Sequence, residues 1–455
     1  MAVVSDPARL LARIAPGALR ICNRLREAGH RAWIVGGSVR DLALERTVTD
    51  WDIATDALPR QVMRAFSHVI PTGIEHGTVT VLLGDARYEV TTLRGETTYT
   101  DGRHPDAVVF VDDIAADLAR RDFTINAIAI DPATAQVIDP WGGLADLERR
   151  ILRAVGDPLE RFTEDGLRPL RAARFAATLE IEIEPRTLAA IGPALPTYRR
   201  VSAERIRDEW VKAMGAERPS RAFEVMRTTG MLAVSLPEAI QMVGCRQNRF
   251  HAFDVWEHSL ACLDACPADP ALRFAALLHD IGKPRTRAVH ETTGDYTFYH
   301  HETVGADMAM AILERLRFSN DERDRIVSLV RHHIVCYSDE WTDAAVRRFI
   351  RRVSRERIED LYALSRADVR SKGTDALAEL SALEKLEARV TAILTARDAI
   401  SVRDLAVDGN DVMRELGIQP GRKVGETLEA LLERVIEDPR LNDRDTLLRL
   451  IREAG

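Results

Sequence analysis

The sequence lacks the features that would staple a small fold covalently. Its 455 residues hold five cysteines (Cys22, Cys245, Cys262, Cys266 and Cys336), an odd, scattered set with no Cys-x-x-Cys pair. This spacing argues against a disulfide framework and a structural zinc ribbon, and predicts reduced, buried small apolar side chains. No uninterrupted apolar run approaches the ~18 residues of a membrane span, and no basic segment followed by an apolar run opens the chain. No membrane partner and a cytosolic location are therefore expected. A net charge of -8 argues against a uniformly basic nucleic-acid coat. The pattern Gly-x-x-x-x-Gly-Lys-Ser/Thr is absent, which excludes a P-loop.

What is present bounds the architecture. The length exceeds what one core usually holds, so two to four domains are expected, and 46% hydrophobic content suffices to bury them. Through about residue 155 helix and strand signals mix. "PARLLARIAPGALRICNRLREAG" has helical periodicity ending at Gly29, "RAWIVGG" reads as a buried strand, and "TVTVLLGDARYEVTTL" reads as two strands joined by Gly84-Asp85. Beyond about residue 160 helical periodicity dominates. The expected fold is α+β, a small mixed sheet with helices followed by an all-α body.

The stretch "WIVGGSVRDLALERTVTDWDIATDAL" (33–58) carries the first chemistry. Asp50 and Asp52, two residues apart on an extended segment, project to one face and repel unless a cation lies between them. Hard oxygen ligands that leave room for phosphates suit Mg²⁺. Gly36-Gly37 lets the backbone approach an anion, and Arg40 neutralises phosphate oxygens. A turn followed by a solvated acidic loop is the competing reading. It weakens because Glu89, in "RYEVTTL", lies on a strand able to pair beside the aspartates. Three carboxylates able to hold two ions are the equipment of nucleotidyl transfer.

"GGSVRDLALERTVTDWDIAT", "YEVTTLR", "DLARRDFTINAIAID" and "FTEDGLRPLRAARFAATL" follow in the order and approximate spacing of the bacterial tRNA nucleotidyltransferases, the CCA-adding enzymes, and their relatives the bacterial poly(A) polymerases. The chain resembles that family over nearly its whole length. The resemblance implies a polymerase-β-like nucleotidyltransferase head in which Asp50 and Asp52 bind metal and Glu89 is the third carboxylate. Gly37 and Arg40 match positions that contact the triphosphate, and Arg121 with Asp122 match the ribose-recognising motif. Asp165 and Arg168 of "EDGLR" match the base-reading motif, and Arg171 and Arg174 match positions near the nucleotide. Hydrogen-bond inventory shows why an acceptor beside a donor serves: cytosine and adenine present an amino donor next to a ring-nitrogen acceptor, whereas uracil and guanine present the reverse. An i,i+4 ion pair between Glu164 and Arg168 is the plainer reading of the same residues. "VSAERIRDEWVKAM" resembles the family's next helix, with Ser202 as its N-cap and a supporting role.

A second constellation lies mid-chain. His258, then His279-Asp280 in "LLHDIGK", with His301, His332 or His333, and Asp368 further on, are costly to bury unless they bind metal or are fully hydrogen-bonded. The arrangement resembles the HD phosphohydrolase domain, which implies His258, His279, Asp280 and Asp368 as ligands of a divalent metal. The expected organisation is a head over 1–157, a helical neck with the base-reading motif over 158–235, an HD-like domain over 240–375 and a C-terminal helical tRNA-binding domain over 376–455. The implied partners are tRNA, CTP and ATP. Relatives adding only CC, only A or poly(A), and an HD phosphohydrolase with an idle head, are the alternatives. The segment 94–110 fills the region of the loop that allows the switch from C to A. "TDAAVRRFIRRVSRERIEDLYALSRADVRSKG" (342–373) is either a salt-bridged helical face or an RNA backbone contact. "GIQPGRKVG" is either a helix connection or a tRNA-contacting loop.

Overall fold

β-Branched and apolar runs of four to seven residues become strands around "WIVGG". The structure, a computed structural model, describes residues 3–95, 109–249, 251–373 and 377–454. The chain divides into two compact units, Met1–Pro237 and Glu238–Gly455.

The first unit is built on a seven-stranded sheet: β1 (Ala32–Val35), β2 (Trp51–Thr55), β3 (Val69–Gly73), β4 (Thr78–Leu83), β5 (Ala86–Thr92), β6 (Ala129–Asp131) and β7 (Gln136–Ile138). The order is β3-β4-β5-β2-β1-β6-β7. β4 and β5 form the expected hairpin, with Gly84 at φ +61° in its two-residue turn. β2 and β5 run parallel, and their register sets Asp52 opposite Glu89. Trp33, Val35, Ala54, Leu93, Ala127 and Ala129 pack into one apolar cluster of this unit.

Four helices position the site of this unit: α1 (Gly37–Ala43), α2 (Pro158–Glu164), α3 (Arg168–Thr178) and α4 (Ala203–Met214). The helical run before Gly29 is split in two, Pro7–Ala12 and Pro16–Glu27, because Pro16 has no N–H to continue the first helix and instead starts the second. Ser202 occupies the N-cap of α4, but its side chain makes no capping hydrogen bond, so the expected cap is one of backbone position only.

The second unit is helical apart from a short strand pair, Ala288–Val289 with Tyr296–Thr297. Its helices of eight or more residues are α5 (Val255–Ala265), α6 (Pro270–Leu278), α7 (His301–Arg315), α8 (Asn320–His332), α9 (Asp343–Val353), α10 (Ile358–Ser371), α11 (Leu377–Ala396), α12 (Gly409–Leu416), α13 (Arg422–Glu437) and α14 (Arg444–Ala454). α5, α6, α8 and α10 pack together, and α7 packs on α8. A separate cluster, including Val412, Leu432, Val435, Leu447 and Ile451, joins α12, α13 and α14.

The arginine-rich stretch 342–373 forms α9 and α10. Five of its eight arginines face acids of the same unit: Arg347 meets Asp398 at 2.7 Å, Arg351 meets Glu433 at 2.6 Å, Arg355 meets Asp404 at 3.2 Å, and Arg348 and Arg366 pair with Glu437 and Glu387. These groups form the salt-bridged face, not a row of unpaired cations. "GIQPGRKVG" connects α12 to α13, with Gly417 in the left-handed conformation at the α12 C-cap. Of the segment 94–110, residues 96–108 lie outside the described residues.

Candidate active site and a histidine-aspartate cluster

In the first unit the turn after β1 makes a close approach that only glycine permits. Gly36 has φ +71°, and a Cβ there would lie 2.4 Å from Nη1 of Arg121. A Cβ on Gly37 would meet only ordinary contacts with Arg40, so the steric demand falls on Gly36. Ser38, buried in the first turn of α1, clamps the aspartate segment: its Oγ donates to the carbonyl of Asp50 at 3.0 Å and accepts from the Asp52 N–H at 2.9 Å. Asp50 immediately precedes β2, and Asp52 is that strand's second residue. Register places Glu89 beside Asp52 on the same sheet face. Burial raises the Asp52 carboxyl to about 6, with the charges of Glu89 and Asp50 adding to the rise and Arg121 and Arg40 opposing it. A protonatable acid held among like charges is a site a cation relieves.

Asp50 and Asp52 line one side of a cleft of about 510 Å³ whose other lining groups include Arg40, Arg121, Arg168, Arg171, Arg174 and Asp165. The arginines are held rather than free. Arg40 bonds Asp41 through Nε and Nη2, both at 2.9 Å, and Asn126 at 2.7 Å. Arg121 bonds Asp117 at 3.2 Å. Asp122 is committed internally, accepting from the Phe123 N–H, from Asn126 at 3.0 Å and from Arg171 at 2.7 Å. Burial opposes ionisation of Asp122, yet Arg171 and the Asn126 bond hold its carboxyl well below the usual range. Arg174, Arg40 and Arg171 surround the ring of Phe175 at 4.0, 5.1 and 5.4 Å.

The base-reading candidates sit where α2 ends and α3 begins. Asp165 leaves α2 in an extended conformation and accepts from the Leu167 N–H at 3.0 Å. Arg168 donates to Glu164 at 2.6 Å, to the Arg161 carbonyl at 2.8 Å and to the Arg120 carbonyl at 3.0 Å. The i,i+4 pair therefore exists, and it fixes the guanidinium plane at the cleft. Two residues escaped sequence reasoning, both on α4. Arg205 bonds Oδ2 of Asp165 at 2.8 Å, and the buried Glu209 bonds Arg174 at 2.5 Å. Their signal was present as "ERIRDEW", in which residues at i and i+4 share one helix face.

In the second unit five elements converge. His258 comes from α5, His279 and Asp280 from the end of α6, His301 from the start of α7, His333 from the end of α8 and Asp368 from α10. His258 Nε2 lies 3.0 Å from Asp368 Oδ1, and His279 Nε2 lies 3.1 Å from Asp280 Oδ2. Gly282 explains the close approach of α7: a Cβ there would lie 2.3 Å from the His301 carbonyl oxygen. Of the two histidines left open by the sequence, His333 is buried in the cluster, while His332 Nε2 pairs with the Arg352 carbonyl at 3.0 Å. Burial works against charge on His279 and Asp280, but their mutual attraction raises His279 to about 9 and holds Asp280 well below its usual range. Burial lowers His333 to about 3. The cluster opens on a cavity of about 1130 Å³.

Comparison with known proteins accords with this geometry. Residues 32–153 match the family described as the poly A polymerase head domain, and residues 297–451 match tRNA nucleotidyltransferase domain 2. The CCA-adding enzyme of Streptococcus gordonii is 34% identical over 436 residues, which cover 96% of this chain and 96% of that protein. The CCA-adding enzyme of Lactobacillus johnsonii is 47% identical over 221 residues, 49% of this chain and 55% of that protein. Among solved structures, the Bacillus stearothermophilus CCA-adding enzyme in complex with CTP is similar with a TM-score of 0.74 at 29% identity, over 97% of this chain and 98% of that one. No helix among the described residues is long and apolar enough to cross a membrane.

Proposed function

The chain belongs to the CCA-adding enzymes, a family of tRNA nucleotidyltransferases, and from that premise we propose that it transfers CMP, CMP and AMP in turn from CTP and ATP to the 3' end of tRNA. The observation that carries this reading is the parallel pairing of β2 with β5, which sets Asp52 beside Glu89 at the edge of an arginine-lined cleft. Asp50 and Asp52, with Glu89 alongside, would hold Mg²⁺, which would acidify the attacking hydroxyl and neutralise charge on the triphosphate. The residues fit such an ion, since the half-buried Asp52 carries an elevated pKa among like charges.

The tRNA 3' oxygen forms a bond to the α-phosphorus while the bond to the β-phosphate breaks, and pyrophosphate leaves with the electron pair. Arg40, Arg121, Arg171 and Arg174 line the cleft where this charge lies, and their bonds to Asp41, Asp117, Asp122 and Glu209 hold them in place before the nucleotide arrives. Asp165 accepts from the exocyclic amino group of C or A, and Arg168 donates to the neighbouring ring nitrogen. UTP and GTP would set acceptor against acceptor and donor against donor. A cytoplasmic location follows from a tRNA substrate.

The test is incorporation of labelled CTP and ATP, separately and together, onto tRNA transcripts ending before CCA, after C and after CC. Ordered addition stopping after one A is expected. C-only, A-only or extended-A products would replace this reading with one of the relatives.

A second reading rests on the cluster of His258, His279, Asp280 and Asp368. These residues would hold a divalent ion and make the second unit a phosphate-ester hydrolase of the HD type. This reading is supported by Asp280, both of whose buried carboxylate oxygens lack a properly directed hydrogen bond. Release of phosphate from a phosphomonoester, or ring opening of a 2',3'-cyclic phosphate to a phosphomonoester, lost in Asp280→Asn, is the check.

A further inference from the structure

The arginine-lined cleft covers only part of the sheet face that carries the carboxylates. Its lining includes Val35, Gly37, Asp50 and Asp52 at the β1 and β2 side, and of β5 it reaches Thr91 alone among the described residues. Arg87, Glu89 and Thr91 alternate onto one face of β5, the face of Asp52. The same face continues outward from the cleft onto β4, where register sets Thr80 opposite Glu89 and Leu82 opposite Arg87, and onto β3, where Ile70 lies opposite Thr80. In an in-line displacement the attacking and leaving oxygens lie on opposite sides of the phosphorus. With the triphosphate among the arginines of the cleft, the attacking hydroxyl has to arrive from the β5 and β4 side, across Glu89.

That side of the sheet is open. The opposite face of β4 and β5 buries Val79, Val81, Tyr88 and Val90, and the Tyr88 hydroxyl lies 1.9 Å from where a Cβ on Gly17 of the helix Pro16–Glu27 would stand. On the catalytic face Arg87 and Glu89 are exposed. The hydroxyls beside them satisfy one another, Thr72 with Thr80 and Thr78 with Thr91, each pair at 3.0 Å. Arg87 differs from the arginines of the cleft. Arg40, Arg121, Arg171 and Arg174 are each bonded to an acid, whereas among the described residues Arg87 pairs with none. Its guanidinium donors are therefore available to an anion from outside the chain. Two strand steps, ~6.5–7 Å, separate Arg87 from Glu89. That is about the reach from a ribose 3' oxygen to the phosphate on the 5' side of the same nucleotide.

We propose that Arg87 anchors the RNA acceptor strand, holding the phosphate that joins its last two nucleotides and so setting the terminal 3' hydroxyl over Glu89. The proposal rests on the CCA-adding reading and adds the route by which the RNA end reaches the carboxylates. A contact to the backbone positions a strand without reading its sequence. That suits an end whose last base changes with each addition. Arg87 is thus a positioning residue for the attacking strand, as the cleft arginines are for the nucleotide.

The test measures AMP incorporation by the full-length chain and its Arg87→Ala variant on tRNA ending after CC, either unmodified or with a neutral methylphosphonate as its last internucleotide linkage. In the parent the neutral linkage should lower kcat/KM for the RNA about tenfold, the loss of one charge-assisted contact. Arg87→Ala should show a similar loss on unmodified tRNA and little further loss on the modified one, with Arg87→Lys recovering part of it. KM for ATP should stay at the parent value in Arg87→Ala, which shows that the variant folds and keeps its nucleotide cleft. Equal losses from the neutral linkage in parent and variant, or no loss in Arg87→Ala on unmodified tRNA, overturn the anchor and leave the CCA-adding reading standing. No incorporation by the parent on unmodified tRNA overturns that reading and the anchor with it.

Discussion

Asp52 shows how much of this chemistry rests on single side chains. Its carboxyl is raised from 3.8 to about 6 in the metal-free protein, chiefly by burial. A folded-state pKa above the unfolded value favours the native state below the unfolded pKa, and that contribution is lost as pH rises through the folded pKa. Ionised Asp52 therefore burdens the metal-free fold at pH 7 by up to about 3 kcal/mol, and not below about pH 4. Asp52→Asn should raise the metal-free melting temperature at pH 7, with the gain shrinking as pH falls through 6 to 4, while abolishing nucleotide incorporation. Thermal melts at pH 4, 6 and 8 check the first part, and a gain constant across pH would refute it. Arg205 makes the second residue-scale case. If Asp165 reads the base as proposed, its bond to Arg205 would set which carboxylate lone pairs face that base, so Arg205→Ala should raise misincorporation of UMP and GMP about tenfold or more, the equivalent of one charge-assisted hydrogen bond of ~1.5–3 kcal/mol. Arg205→Lys should restore part of the selectivity with tRNA affinity unchanged. Retained discrimination in Arg205→Ala would make Arg205 a structural residue only.

At the scale of elements, helices α3 and α4 act as a pair. α3 buries Leu170, Ala173, Phe175 and Ala177 and turns Arg171 and Arg174 toward the cleft, while α4 supplies the buried acid that receives Arg174. Removing that acid leaves buried arginine charge uncompensated, so Glu209→Ala should cost about 3–5 kcal/mol of stability, read from urea unfolding of the full chain. The periodicity of both helices was legible in the sequence, because alanines and apolar residues recur at helical spacing. Their partnership was not, because Glu209 lies 35 residues from Arg174 and only packing brings the two together. The same limit applied to the arginines of α9, whose acids come from α13 and the α11–α12 connection; the sequence left 342–373 open between a salt-bridged face and an RNA surface because those acids lie far away in the chain. In the second unit, Gly282→Ala would press a methyl group against the carbonyl of His301. That substitution should push α7 outward and lower Mn²⁺ occupancy of the His279-Asp280 cluster, measured by equilibrium dialysis of the full chain in an Asp50→Ala, Asp52→Ala background.

The whole molecule consists of two units, each with its own apolar core. Such units unfold as separate cooperative transitions when little couples them. Calorimetry of the full chain should show two transitions, and saturating Mn²⁺ in the Asp50→Ala, Asp52→Ala background should raise only the one that His279→Ala lowers. One transition that responds to both changes would show the units melt together.

The sequence by itself determined the class of chemistry. Paired carboxylates after a glycine turn, Glu89 on a hairpin strand and the His279-Asp280 doublet are local patterns, and short-range backbone geometry sets where such side chains point. It also determined the α+β head and the helical body, which rest on periods of two and 3.6 residues. The tertiary structure alone decided what those groups touch. The parallel register of Asp52 with Glu89 is a long-range pairing, the choice of His333 over His332 depends on how α8 ends against its neighbours, and the approach of His301 to Asp280 depends on Gly282 letting α7 close in. Contacts between residues far apart in the chain are set by packing, and packing leaves no local trace in sequence.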